Sequence, residues 1–351
     1  MKIVIVGFGG MGNAHLDNYI PRSNFDIKGI YDISVTVQNK AKEKGLYCYK
    51  SLDEVASDSE IDLVLIATPN DTHHPIAIKM MENKKAVLCE KPAALNVKEL
   101  EEMIMCSKKN NVTFAVNQNR RYDRDFLTAK KIIESNEIGK VFHFESKVYG
   151  SRGIPGDWRG EKKHGGGMLL DWGIHLIDQF TMLNDFELDS IYAEFTNITN
   201  DDVDDGFRVH FRFKNGATAL AEVATCNFIE FPRWYICGTN GTATLGQFKN
   251  PWDELGEKIS IISNEKIDIK PIKAANGFTK TMAPRDDNSE VLKEKVNFEQ
   301  GDPIEIYTSM YNAIRSKSIE TVIDHESLKF TFNLIEDIIE SAEQNKVIKY
   351  N

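Results

Sequence analysis

The stretch from Ile3 to Tyr19 constrains the fold more than any other part of the chain. Four apolar residues, Ile3–Val6, run straight into Gly7-Phe8-Gly9-Gly10-Met11-Gly12, and a helical pattern follows from Met11 to Tyr19. A buried strand that turns into a helix through a GxGxxG loop reads as the first unit of a parallel, helix-flanked sheet. Each glycine has a physical task. Gly7 makes the tight turn, and Gly9 lacks the Cβ that would hold backbone away from a pyrophosphate. Gly12 lets helix and strand approach, and the free N–H groups at the helix start can hold an anion. Asp32 lies 20 residues beyond Gly12, at the end of the next apolar run. A carboxylate there accepts hydrogen bonds from a ribose 2′-hydroxyl and repels a 2′-phosphate, and Ile33-Ser34-Val35 supplies no arginine for that phosphate. The expected cofactor is therefore NAD, with NADP disfavoured.

Further apolar runs at Ile27–Tyr31, Leu63–Ala67, Ala86–Cys89 and Thr113–Val116 alternate with amphipathic stretches such as Pro75–Glu82 and Val97–Lys108. Strands without polar alternation are buried on both faces, as in a doubly wound α/β domain. Asn96, with Glu99 three residues on, forms a capping-box-like helix start. After an expected helix at Arg124–Ser135 the period changes to two. Phe207, Val209, Phe211 and Phe213 alternate with polar residues, Asn215-Gly216 makes a turn, and Ala217, Ala219, Ala221 and Val223 alternate in the return strand. Asn240-Gly241 is expected to close a second hairpin between Tyr235–Cys237 and Thr242–Leu245. Leu328, Phe332, Ile335, Ile339 and Ala342 lie at helical spacing, whereas residues 249–298 show no usable period. The expected architecture is a Rossmann domain over 1–121 and an α+β domain on a large, mostly antiparallel open sheet over 122–351. A helix near 325–345 packs back toward the first domain.

Composition excludes several function classes. With 351 residues the chain is long enough for two domains, and 41% hydrophobic with 27% charged residues is ordinary for a globular protein. A net charge of −10 without a basic patch argues against nucleic acid as partner. The longest apolar run, Leu63–Ala67, is too short for a membrane span, and Met1-Lys2 leads into no secretory apolar region. Five scattered cysteines without CxxC spacing fit buried free thiols in a reducing cytoplasm.

Three further segments carry chemistry. The third strand ends in Ala67-Thr68-Pro69-Asn70-Asp71-Thr72-His73, the fourth in Glu90-Lys91-Pro92, both at carboxyl strand ends where open α/β sheets bind ligands. Much later comes Gly165-Gly166-Gly167-Met168-Leu169-Leu170-Asp171-Trp172-Gly173-Ile174-His175, which in a helix puts Asp171 and His175 on one face. A histidine one turn after an aspartate can equally be a structural pair, and Lys91-Pro92 alone could merely end a strand. Asp171, His175 and Asp178 could ligate a metal, but no further ligand clusters with them, so none is expected.

Taken together these segments resemble the Gfo/Idh/MocA oxidoreductases, glucose-fructose oxidoreductase and inositol dehydrogenase among them. Asn119-Arg120-Arg121-Tyr122, the Cys237–Thr242 hairpin and the final helix extend the resemblance over nearly the whole chain. The resemblance implies an NAD(P)-dependent dehydrogenase or reductase acting on the CH–OH group of a small-molecule sugar or cyclic polyol. It implies Lys91, Asp171 and His175 as the catalytic triad, with a cis peptide often found before Pro92. His175, with a reference pKa of ~6.5, suits a general base, and Lys91 a stabiliser of alkoxide charge. Asp171 could orient His175 or bind a substrate hydroxyl. Cofactor contacts are expected from Gly7–Gly12, Asp32, Ile33, Ala67, Thr68, Pro69, Asn70, His73, Glu90, Lys91, Asn119, Trp158 and Arg159. Arg159 could pair with pyrophosphate. Arg120, Lys163, His164 and Trp172, with the triad, are expected to line the substrate pocket, the indole stacking on a sugar. Relatives of this kind pair as homodimers or homotetramers through the outer sheet face, and Ala219, Ala221 and Val223 look too apolar for both faces to be wet. Two other readings keep the fold: an NAD-using glycosidase with transient internal redox, and a non-catalytic NAD-binding regulator.

Overall fold

The computed structural model describes residues 1–246, 256–261, 271–275, 277–279 and 291–351. In its first part β1 (Lys2–Val6), β2 (Asp26–Tyr31), β3 (Leu63–Ile66), β4 (Ala86–Cys89) and β5 (Phe114–Val116) form a sheet in the order β2-β1-β3-β4-β5. All four pairings are parallel. An isolated parallel bridge, Ile30 to Cys48, extends β2 outward by one position. Counting that bridge as a strand position, the order becomes 3-2-1-4-5-6, the Rossmann arrangement. β1, β3 and β4 are buried along almost their whole length, which is why their sequences are apolar without alternation. Crossovers run through α1 (Gly10–Ala14), α2 (Val35–Glu43), α3 (Leu52–Ser57), α4 (His73–Glu82) and α5 (Val97–Asn110). At α5 the Asn96 side chain accepts the Glu99 N–H at 2.9 Å, and Glu99 reaches back to the Leu95 N–H at 3.0 Å. The expected box therefore closes one residue further out. The helical stretch foreseen over Met11–Tyr19 is present, with α1 passing directly into a wide π-helical turn over His15–Tyr19.

After α6 (Arg124–Glu134) comes a nine-stranded sheet. Its strands are β6 (Val141–Tyr149), β7 (Leu188–Thr196), β8 (Gly206–Phe213), β9 (Thr218–Ala224), β10 (Trp234–Gly238), β11 (Gly241–Leu245), β12 (Gly256–Ile261), β15 (Val291–Lys295) and β16 (Ile348–Lys349). Between the last ones β13 (Ile272–Ala274) and β14 (Gly277–Thr279) form a separate hairpin. The order β15-β12-β11-β10-β6-β9-β8-β7-β16 is antiparallel except where β6 meets β9. The α/β class and the mostly antiparallel second sheet stand as the sequence indicated. Parts of 249–298 thus extend this sheet or form the small β13–β14 hairpin, and residues 249–255, 262–270, 276 and 280–290 lie outside the described residues. The second hairpin turns at Thr239-Asn240, because Gly241 already pairs with Gly238 in the ladder.

On the inner face β8 and β9 bury Phe207, Val209, Phe211 and Phe213 and Ala219, Ala221 and Val223. The opposite face carries Arg208 paired to Glu222 and Lys147 paired to Glu145. Apolarity of the β9 alanines therefore says nothing about a covered outer face. On the inner face Phe144, Phe180, Phe186, Phe211 and Phe213 pack ring against ring at 5.0–5.8 Å, with Phe211 5.2 Å from Phe180. Contacts of this kind stabilise by about 0.5–1.5 kcal/mol each beyond area burial. Phe180 belongs to α7 (Ile174–Thr181), so this aromatic core fixes the helix that carries His175. Of the two last helices, α8 (Ile304–Ser316) reaches the first part through Tyr307. α9 (His325–Gln344) lies against α5, Glu336 accepting the Val97 N–H and His325 Nε2 bonding Phe114 O. Among the described residues no helix is long and apolar enough to cross a membrane. All five cysteines are free, but only Cys89 and Cys106 are buried; Cys48, Cys226 and Cys237 are half-buried.

Candidate active site

A cleft of about 1150 Å³ opens at the carboxyl ends of β1–β4, closed on the other side by the segment from Asp157 to His175. One end is made largely of backbone. Gly7 sits at φ +87°, and a Cβ there would come 2.6 Å from Ala67 O; a Cβ on Gly12 would meet Gly7 O at 2.3 Å. These two glycines are demanded by the fold itself. Gly9 and Gly10 have nothing within 4 Å of an added Cβ, so their bareness leaves a cradle open toward the cleft. Asp32 accepts the Phe8 and Ser34 N–H groups at 2.8 Å each. Its carboxylate thus stands beside the glycine loop. Open cradle, helix start and carboxylate together fit a dinucleotide bound along this end.

The other end is made of side chains. The Lys91–Pro92 peptide is cis. Lys91 Nζ donates to Asp171 O at 2.8 Å and Oδ1 at 3.0 Å. Asp171 and Trp172 sit on a π-helical turn, Leu169–Gly173, that feeds into α7. Wide turns of this kind recur at functional sites because they aim side chains that a regular helix would not. Asp171 also faces Arg159 Nε at 3.4 Å. Burial works to raise the Asp171 pKa, but Lys91, Arg159 and Arg120 hold it below its usual value. Among the described residues Asp171 makes no hydrogen bond to His175; its hydrogen bonds go to Lys91 instead. His175 is buried, and its Nδ1 has no hydrogen-bond partner among the described residues. Burial first, then the charges of Lys91, Arg120 and Arg233, push its pKa well below the ordinary value, so the imidazole is neutral near pH 7.

The scaffold behind these groups is polar and buried. Arg121 holds Asp178 through two bonds of 2.7 and 2.6 Å, and Asp178 also accepts from Thr331. That ties α7 to the Asn119–Tyr122 turn and occupies the carboxylate that could have completed a metal site. Among the described residues no cluster able to hold a metal is present. Arg233, fully buried, donates to Gln179 at 3.0 Å and to Ser146. Asp204 accepts the Leu169 N–H at 2.8 Å, and burial pushes its pKa up to about 7.

Most residues singled out from the sequence line this cleft. They include Gly7, Gly9, Gly10, Met11, Asp32, Ile33, Ala67–Asn70, His73, Glu90, Lys91, Asn119, Arg120, Trp158, Arg159, His164, Asp171, Trp172 and His175. Three do not. Phe8 is buried beneath the loop, and Gly12 acts only through helix–strand packing. Lys163 turns outward to Glu161 with 70% of its side chain exposed. Arg159 spans Asp157 at 2.9 Å and Asp171, which places it at the side-chain end of the cleft. One face of Trp172 is covered by the Arg120 guanidinium, 4.4 Å from the ring centroid. His73 bonds Pro92 O and Thr68 O at 2.8 Å each and braces the two strand ends. His164 meets Asp71 at 3.0 Å and Asn70 donates to Gly165 O at 2.8 Å, bridging the cleft. Sequence reasoning passed over Asp71 and Asp157, each adjacent to a residue it named. It also passed over His15, Asp204, Arg233 and Tyr307, whose roles depend on distant partners.

Comparison with known proteins agrees with this geometry. Residues 1–118 match the model of an oxidoreductase family with an NAD-binding Rossmann fold, and 126–244 match the GFO/IDH/MocA C-terminal domain. A crystal structure of an NAD-binding protein from Listeria innocua is 40% identical, covers 99% of each chain and superposes with a TM-score of 0.91. Glucose-6-phosphate 3-dehydrogenase of Bacillus subtilis is 32% identical over 65% of this chain and 69% of its own. Myo-inositol 2-dehydrogenase of Thermotoga maritima is 29% identical over 63% and 68%. Against two uncharacterized oxidoreductases of Schizosaccharomyces pombe, at 39% and 34% identity, the chain spans about half of their length, 45% and 55%.

Proposed function

This chain belongs to the Gfo/Idh/MocA family of NAD-binding oxidoreductases, and from that premise we propose that it oxidises a secondary alcohol of a sugar or cyclic polyol. The observation that carries this reading is the meeting, in one cleft, of the glycine cradle and Asp32 with Lys91, Asp171 and His175. NAD, when bound, supplies the nicotinamide carbon that accepts a hydride. The protein's share is to place the alcohol, take its proton and exclude water. Lys91 gives two of its three N–H donors to Asp171 and keeps the third for the reacting oxygen. An ammonium there stabilises alkoxide charge as the proton departs. His175, uncharged at neutral pH, is ready to receive that proton. Asp32 favours NAD over NADP, since no arginine follows it to bind a 2′-phosphate.

The same reading places the protein in the cytoplasm as a homo-oligomer paired through the outer face of its large sheet. The chain's relatives include dehydrogenases named for inositol and for glucose 6-phosphate, and both substrate types are cyclic polyhydroxy compounds. The test is a panel of sugars and cyclic polyols incubated with NAD, read by NADH absorbance and product analysis. Stoichiometric NADH with one substrate is the expected result. Product without net NADH would indicate an internal redox cycle, and binding without turnover would indicate a regulator.

A further inference from the structure

Behind Lys91 lies a buried chain of polar groups that the proton chemistry does not use. Glu90, 4% exposed, lines the cleft at the end that holds Lys91 and His175. Its Oε1 accepts Asn117 Nδ2 at 2.7 Å and lies 2.6 Å from His15 Nε2, and its Oε2 accepts the Lys91 N–H at 3.2 Å. His15 Nδ1 in turn lies 2.6 Å from the Tyr307 hydroxyl. Both rings are dry, His15 at 0% and Tyr307 at 1% exposure, and Tyr19 stacks on Tyr307 at 5.9 Å. The chain thus joins three distant segments: the turn after the glycine loop, the end of β4, and α8.

The hydrogen-bond logic fixes the charges. Burial drives the Tyr307 pKa well above its ordinary value, so the hydroxyl keeps its proton and can donate it to Nδ1. The opposite ring nitrogen, Nε2, is then the one that donates to Glu90. Asn117 and the Lys91 backbone can only donate. Burial works against the carboxylate, but its interaction with His15, then the Asn117 hydrogen bond and the Lys91 charge, hold the Glu90 pKa below the usual range. An ionised carboxylate in a poorly hydrated position acts on any charge beside it far more strongly than it would in water.

Nicotinamide is positively charged when oxidised and neutral when reduced. We propose that the Tyr307–His15–Glu90 chain holds a negative charge against the nicotinamide end of the cleft and so makes the protein bind NAD⁺ preferentially over NADH. The inference rests on the reading that this cleft binds the dinucleotide with its nicotinamide toward Lys91.

The experiment measures dissociation constants of the whole protein without substrate, NAD⁺ by calorimetry and NADH by fluorescence. In Glu90→Gln the preference for NAD⁺ over NADH is expected to fall about tenfold, mostly through weaker NAD⁺ binding, as one unit charge is removed from a dry site. Tyr307→Phe does not touch the cleft but frees His15 to adopt the other tautomer; a smaller shift of the same sign is expected. A change in both constants by the same factor would overturn the inference and leave Glu90 a plain hydrogen-bonding contact. So would unchanged constants. If Glu90→Gln fails to fold by circular dichroism, the Tyr307→Phe ratio decides, and an unmoved ratio there rejects the proposal. Wild-type protein that binds neither dinucleotide would instead reject the reading of the cleft.

Discussion

At one end of the cleft the protein offers backbone, and at the other it offers charged side chains. The glycine end needs only a strand, a turn and a helix that are contiguous in sequence, from Lys2 to Ala14, plus Asp32. The Lys91 end draws on residues from positions 91, 120, 159, 171 and 175, brought together by the two large sheets and an aromatic core. A backbone site tolerates change except at bare glycines. A side-chain site depends on every partner that sets its charges. The two ends should therefore fail differently when altered.

The largest effect is expected at the side-chain end. His175→Ala should lower kcat by about 10²–10⁴-fold, the usual contribution of a positioned base, while the dinucleotide dissociation constant stays unchanged. Steady-state kinetics with calorimetry separates the two. Unchanged turnover would remove His175 from the mechanism. Because its pKa is driven down by burial and three cations, the acid limb of wild-type kcat/KM should lie below the ordinary histidine value of ~6.5. A limb above that value would mean that another group titrates.

At the backbone end the contrast is between two glycines. Gly12→Ala forces a Cβ to 2.3 Å from Gly7 O, and overpacking of that kind should cost about 1–3 kcal/mol of stability, visible as a lowered Tm. Gly9→Ala has open space around it, so Tm should hold while dinucleotide affinity falls. If both variants lose stability alike, Gly9 is a folding residue and the cradle reading fails.

Next in size is Asp32→Ser, which removes one repulsion against a 2′-phosphate. The preference for NAD over NADP should drop by roughly tenfold, read from the ratio of kcat/KM values for the two cofactors. A ratio that stays put would assign cofactor choice to another residue.

These contrasts also explain what could be read in the sequence. β1, β3, β4 and β5 were legible because burial on both faces leaves almost only apolar residues, and β8 with β9 because half-burial imposes a period of two. The glycine loop and Asp32 were legible because their geometry is local. Lys163 was misplaced because nothing local distinguishes a lysine that faces the cleft from one that pairs with Glu161. The partners of Asp171, Lys91 and Arg159, could not be read locally because both are far away in sequence. Tyr307 carried no signal at all, since its meaning comes from His15, 292 positions earlier.

A further expected effect concerns Asp204, which supports the helix of the side-chain end. Its folded pKa of about 7 lies above the unfolded value near 3.9. Between those values the folded chain holds a proton that the unfolded chain has lost, so this group's contribution to stability declines as pH rises from about 4 to 7. Asp204→Asn keeps an acceptor for the Leu169 N–H and cannot ionise. Its Tm relative to wild type should be level near pH 4 and climb toward pH 7; a difference independent of pH would show that Asp204 does not titrate there.

A crystal structure of the NAD complex tests most directly whether the two ends serve one reaction. The account expects the pyrophosphate over Gly9 and Gly10, the adenosine ribose at Asp32, and the nicotinamide C4 facing a space bounded by Lys91 Nζ and His175. A nicotinamide ring lying outside that space, or turned with C4 away from both residues, would contradict it.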